Sequence, residues 1–140
     1  MTLATDGIYG RDLRIVFLAT GPDLDPAMTE VTGIQLLAQS LVCRQMIVHG
    51  SIVGFPNDGI DVRAYLGKGI RPGGAQQIGQ EVAAELQRDK RVFSATVVAT
   101  FDQGGKTLRL VETINCALGP FTMTLVVSAV SVQLLQQEAA

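Results

Sequence analysis

The residues best spaced for acid–base chemistry are Glu81 and Glu85, one helical turn apart and so on one face. Paired carboxylates of this kind carry out glycoside hydrolysis when they flank a cleft. Here they border an apolar row with Arg88 close by, and a solvated helix face accounts for them with no cleft required. His49 is the only histidine. With Cys43 it could form a nucleophile pair or half a metal site, but a structural zinc needs four ligands and a catalytic one about three. His49 is therefore read as flanking a turn, and no metal or cofactor is expected. Gly105-Lys106-Thr107 ends like a P-loop, yet Thr100 stands where the earlier glycine belongs, and the flanking periodicity is strand on both sides rather than strand then helix. Gly67-Lys68-Gly69 with Gly73-Gly74 does not fit a phosphate-binding spacing either, and Pro72 removes a donor.

The remaining chemistry-bearing residues are charged. Arg88-Asp89-Lys90-Arg91 is the densest cluster. It can be a basic helix terminus that complements the helix dipole, or a rigid corner whose Arg91 presents its planar fork to a neighbour. Asp89, Lys90 and Arg91 are thus candidate interface residues, with Asp61, Arg63 and Glu112 as a second set. Glu112 stands out, because strand alternation puts it on the same face as Leu110 and Ile114. A carboxylate there needs a partner, or it marks a surface that only another chain buries.

The elements that would position these residues follow from periodicity. Val31, Ile34, Leu37, Leu41 and Val42 recur at three- and four-residue steps, which predicts a helix from a Thr29 or Thr32 cap to about Met46, with Gln35, Gln39 and Arg44 on its other faces. Asp61 can cap a short helix over 62–66. Ile78, Val82 and Leu86 form one row of a helix from about Ala75 to Arg88. From Arg91 the period becomes 2. Phe93, Ala95, Val97, Ala99 and Phe101 form one face of a strand. Leu108, Leu110, Ile114 and Cys116 line a second strand, and Phe121, Met123, Leu125 and Val127 open a third that could reach Leu134. The expected class is α+β: an antiparallel meander of three to four strands with two main amphipathic helices on one face. Residues 1–28, broken by Gly21, Pro22 and Pro26, read as an extended N-terminal arm. Residues 29–135 form one domain, and 136–140 a tail.

Composition sets bounds. The chain has 140 residues, of which 47% are hydrophobic and 17% charged, with net charge −2. That excludes a disordered chain and gives no field suited to nucleic acid or an anionic membrane. The longest apolar stretch, Phe121 to Leu135, is interrupted by Thr and Ser and falls short of the roughly 20 residues a spanning helix needs. No signal peptide is expected, and Cys43 and Cys116 read as reduced. The charged fraction is below the quarter or so usual for a soluble domain, so part of the apolar surplus is expected to be interface.

The order of these segments resembles a known family. An amphipathic helix (Gly33-Ile34-Gln35-Leu36-Leu37-Ala38-Gln39-Ser40-Leu41) is followed by Gly59-Ile60-Asp61-Val62-Arg63-Ala64-Tyr65-Leu66. Next come a helix ending in Asp89-Lys90-Arg91-Val92 and strands containing Gly119-Pro120-Phe121 and Val127 to Leu135. This is similar to the small baseplate wedge, or sheath-initiator, proteins of contractile-tailed phages and related injection systems. The family's signature is acid, proline, arginine at the end of the second long helix. Asp89 and Arg91 match it, and Lys90 replaces the proline.

The resemblance implies a structural role with no cofactor. The partners it implies are the helical core bundle of larger wedge subunits and the tail sheath, with tail tube and hub proteins as further neighbours. It also implies about six copies in a virion baseplate assembled in the bacterial host cytoplasm. Two other readings are weighed: a cell-wall glycosidase using Glu81 or Glu85, and an unrelated small α+β binding module.

Overall fold

The computed structural model describes residues 9–18, 21–68, 70, 73–102, 106–128 and 132–139. Along the chain these form β1 (Arg11–Leu13), β2 (Ile15–Leu18), β3 (Gly21–Leu24), β4 (Glu30–Thr32), α1 (Gly33–Arg44), α2 (Arg63–Lys68), α3 (Gly74–Leu86), β5 (Val92–Asp102), β6 (Thr107–Cys116), β7 (Gly119–Val127) and β8 (Val132–Ala139). The class is α+β. The main sheet is antiparallel with strand order β5-β6-β7-β8, and two further ladders pair β1 with β4 and β2 with β3.

The helices form where the apolar rows lie. In α1, Leu36, Leu37, Leu41 and Val42 are buried, and Thr32 occupies the N-cap position without a side-chain cap bond. In α3, Ile78, Val82 and Leu86 are buried together with Gly79. Gly79 has a specific task. A Cβ at that position would lie 2.8 Å from the Val97 carbonyl oxygen, so only glycine lets the helix backbone settle onto β5. The core between helices and sheet is filled by Leu37, Leu41, Leu86, Leu108, Leu110, Ile114, Phe121, Met123 and Leu125, all fully buried.

Three strand expectations change. Phe93 does not share a face with Ala95: it is 69% exposed, while Val92 is buried. The cause is a bulge, since Val92 pairs with Cys116 and Ser94 with Asn115, which leaves Phe93 as the extra residue and turns it outward. The third strand does not run on to Leu134. It ends at Val127, and the chain returns as β8, with Val132 opposite Val127 and Ala139 opposite Phe121. Gln136 to Ala139, read as a tail, therefore belong to this last strand; the reversal includes positions 129–131, outside the described residues.

The segment read as an arm begins at residues 1–8, which also lie outside the described residues. Further on, Arg11–Leu13, Ile15–Leu18 and Gly21–Leu24 lie in the two short ladders, and Phe17 packs against the core. Gln39, placed off the apolar row of α1, is nonetheless 6% exposed. Its Oε1 accepts the Ile15 N–H at 2.8 Å and its Nε2 donates to the Leu13 carbonyl at 2.9 Å, so it pairs with the chain between β1 and β2 as a strand would.

Candidate functional site

The corner where α3 turns into β5 is built by Asp89. Its carboxylate accepts the Arg91 backbone N–H (2.9 Å), the Arg91 Nε (2.9 Å) and the Arg91 Nη2 (2.7 Å). The Val92 N–H donates to the Asp89 carbonyl at 3.0 Å and closes the turn. Burial alone would raise the Asp89 pKa, but the hydrogen bonds and charge of Arg91 outweigh it and hold the carboxyl below its ordinary value. The fork of Arg91 is thus occupied by a residue two positions away. Its guanidinium lies 6.0 Å from the centre of the Tyr9 ring, and its side chain keeps 32% exposure. Lys90 carries no such bond in the turn.

Asp61 and Arg63 repeat this device at the start of α2. Asp61 Oδ1 accepts the Arg63 N–H (3.2 Å) and Nε (2.9 Å), and Arg63 Nη2 reaches Asp61 Oδ2 and the Met46 carbonyl, each at 3.3 Å. Met46 and Asp61 also form a bridge. Two Asp-x-Arg clamps therefore stiffen two turns, one leading into α2 and one leading into β5.

Glu85 is not on a solvated face. It is 7% exposed and accepts the Gly59 N–H at 2.6 Å. Arg44 Nε lies 3.6 Å from its Oε1 and Arg88 Nε 3.3 Å from its Oε2. Both arginines also reach Asp58 Oδ1, at 3.2 and 3.5 Å. Two cations and two carboxylates thus tie the end of α1, the end of α3 and the base of the connection between α1 and α2. His49 Nδ1 sits 3.1 Å from the Gly59 carbonyl in the same place, consistent with its reading as a turn-flanking residue. Glu81 points elsewhere: it accepts hydrogen bonds from the Tyr65 hydroxyl and from Gln77 Nε2. Burial first, and Glu81 second, push the Tyr65 phenol above its ordinary value.

This four-residue cluster pins a loop that exposes apolar side chains. Val53 is 96% exposed, Phe55 59% and Val48 58%. The Phe55 N–H donates to the Ile52 carbonyl at 3.0 Å, and Gly54 takes the positive φ that this tight turn needs.

Glu112 lies in the interior, with 0% exposure, and so offers no surface to a neighbour. Its partner is Gln45, 67 residues away, whose Nε2 donates to Glu112 Oε1 at 2.9 Å. Burial pushes the Glu112 pKa up to about 8, against the lowering effect of that hydrogen bond. Two buried oxygens of this pair, Gln45 Oε1 and Glu112 Oε2, lack partners when the carboxyl is ionised. A proton on Glu112 removes the buried charge that this single hydrogen bond leaves uncompensated.

Sequence reasoning passes over Gln45, Asp58 and the pairing of Arg44 with Glu85. The unpartnered Glu112 is the one signal that a buried complement has to exist. Among the described residues no group of three or more His, Cys, Asp or Glu could hold a metal ion, and no helix is long and apolar enough to cross a membrane. Thr107 opens β6, so Lys106-Thr107 belongs to a strand–strand connection, with Gly105 outside the described residues. Gly69 and Pro72 of the other glycine-rich segment lie outside them too.

Comparison with family models, curated proteins and solved structures finds no match to this chain.

Proposed function

We propose that this chain is a structural assembly subunit of the baseplate-wedge and sheath-initiator kind. It would dock through the Asp89–Arg91 corner onto a helical core bundle of larger wedge subunits and start the tail sheath. The observation that carries this reading is the corner itself, a clamped turn between the last helix and the first long strand. A proline at position 90 would hold such a turn by fixing its backbone. The bidentate Asp89–Arg91 pair does so by another route, which is why Lys90 is compatible with the role. Arg91 keeps one third of its side chain exposed for a contact beyond the turn.

Two further features support an assembly role over catalysis. Glu85 is engaged by two guanidinium groups and a backbone N–H, and Glu81 by Tyr65, so the carboxylates weighed for glycoside hydrolysis serve as anchors. The main sheet is open, with β5 and β8 at its edges, the kind of surface an incoming sheath strand can extend. The frame for this is the meander with its two main helices on one face, in a virion baseplate with about six copies.

Co-expression with the wedge and sheath proteins of a contractile tail tests the reading. Wild-type chain should co-purify with a wedge subunit, and Arg91→Ala should lose that subunit while keeping its fold. Assembly of Arg91→Ala at the wild-type level would remove the corner as the contact. Failure of the wild type to co-purify with any wedge or sheath protein would overturn the assignment.

A further inference from the structure

Asp58–Gly59 is one of two Asp–Gly pairs in the chain, the other being Asp6–Gly7. In such a pair no side chain on the glycine hinders attack by its nitrogen on the preceding carboxyl. The Gly59 amide nitrogen, on losing its proton, can close on Asp58 Cγ. An N–Cγ bond forms and a Cγ–O bond breaks. That oxygen leaves as water, with the amide proton and the acid proton. Water then reopens the five-membered imide at either carbonyl. One opening restores aspartate, and the other gives isoaspartate, whose backbone runs through an extra methylene. No electrons are transferred, and water is the only other reactant.

The fold requires this glycine. A Cβ at position 59 would lie 2.8 Å from the Ile47 carbonyl oxygen, and φ is +97°. The structure instead holds the groups that ring closure would move. The Gly59 N–H donates to Glu85 Oε1 at 2.6 Å, and Glu85 is 7% exposed. The Asp58 carboxylate is turned toward Arg44 and Arg88, which lie 3.2 and 3.5 Å from its Oδ1. The Asp58 carbonyl accepts the Gly50 N–H at 3.1 Å, and the Gly59 carbonyl lies 3.1 Å from His49 Nδ1. From this we infer that Asp58–Gly59 is an isoaspartate-forming site, kept closed by the Arg44–Glu85–Arg88 cluster and unmasked when the 48–59 loop opens. Isomerisation turns the carbonyl that Gly50 binds into a free carboxylate and lengthens the chain by one methylene. The loop that exposes Val53 and Phe55 then cannot return to its present bonds. This site stands apart from the wedge assignment and uses none of the residues Asp89–Arg91.

Full-length protein held for weeks at neutral pH in oxygen-18 water, with and without denaturing guanidinium chloride, tests this. Peptide mapping by mass spectrometry locates isoaspartate at position 58, and each ring opening adds one heavy oxygen there. Methylation by isoaspartyl methyltransferase with S-adenosylmethionine gives an independent count. In denaturant Asp58 and Asp6 should both convert, at similar rates because the dipeptide is the same. In buffer Asp58 should convert at least about tenfold more slowly than in denaturant, since only opened molecules react. Glu85→Ala removes the acceptor of the Gly59 N–H and should raise the rate in buffer several-fold with far-UV circular dichroism unchanged. Arg88→Ala, at a side chain 46% exposed, should raise it as well and is the variant read if Glu85→Ala unfolds. Conversion of Asp58 in buffer as fast as in denaturant overturns the inference, as does no conversion in denaturant. Folded variants that convert no faster than the wild type overturn the cluster as the lock.

Discussion

Glu112 offers the sharpest test of how this fold is held together. The carboxyl is fully buried, has one partner, and titrates at about 8 instead of its ordinary 4.5. An acid whose pKa is raised by folding binds more protons in the native state than in the unfolded one between those two values. Its contribution is therefore fully present below pH 4.5, declines as pH rises, and is gone above about pH 8. A displacement from 4.5 to about 8 corresponds to an upper bound of about 5 kcal/mol, comparable to the whole stability of a small domain.

Glu112→Gln removes the titration and keeps the shape. The new amide keeps an acceptor for Gln45 Nε2 and carries no charge to bury. Urea unfolding of both proteins at pH 5, 7 and 9 measures the effect. At pH 5 they should agree within about 1 kcal/mol. By pH 7 the wild type should be falling by up to about 1.4 kcal/mol per pH unit relative to the variant, and by pH 9 the variant should be the more stable by a few kcal/mol. Parallel pH dependences would refute the neutral buried acid, and so would a variant that is less stable at pH 9.

Two other substitutions probe the same layer. Gly79→Ala should cost about 1–3 kcal/mol by urea midpoint, although alanine is the better helix former, because the new Cβ meets the Val97 carbonyl; a gain of up to about 1 kcal/mol would mean that only helix propensity matters. Glu85→Ala should cost about 3–5 kcal/mol, because it leaves Arg44 and the Gly59 N–H without their buried acceptor, and it should speed hydrogen exchange in the 48–59 loop; unchanged exchange there would show that the loop is held by other contacts.

Much of the framework was legible in the residues. The rows Leu37-Leu41 and Ile78-Val82-Leu86 placed both long helices, because a helix in a small domain must bury one stripe and the stripe is written in the spacing; of the two caps offered for α1 the chain uses Thr32, and Val31, counted in its row, lies in β4. Strand alternation put Leu108, Leu110, Glu112 and Ile114 on one face for the same reason. The α+β class follows from that change of period at Arg91. Where the outcome differed, a local departure from periodicity decided it. One extra residue at the β5 bulge turned Phe93 outward, and a reversal after Val127 divided one apolar run into two paired strands.

The sequence by itself determined the two long helices and the strand periodicity from Arg91 to Val127, and it marked Glu112 as a charge in need of a partner. The tertiary structure alone decided who the partners are. Gln45 meets Glu112 across 67 positions, and Arg44 meets Glu85, and Asp58 meets Arg88, across shorter stretches that still span whole elements. Pairings of this kind leave no periodic trace, because a buried charge requires only that some complementary group arrive, and chain topology chooses which one. The two Asp-x-Arg clamps are the intermediate case: their residues were visible as charges, but only the turn geometry showed each arginine folded back on its own aspartate.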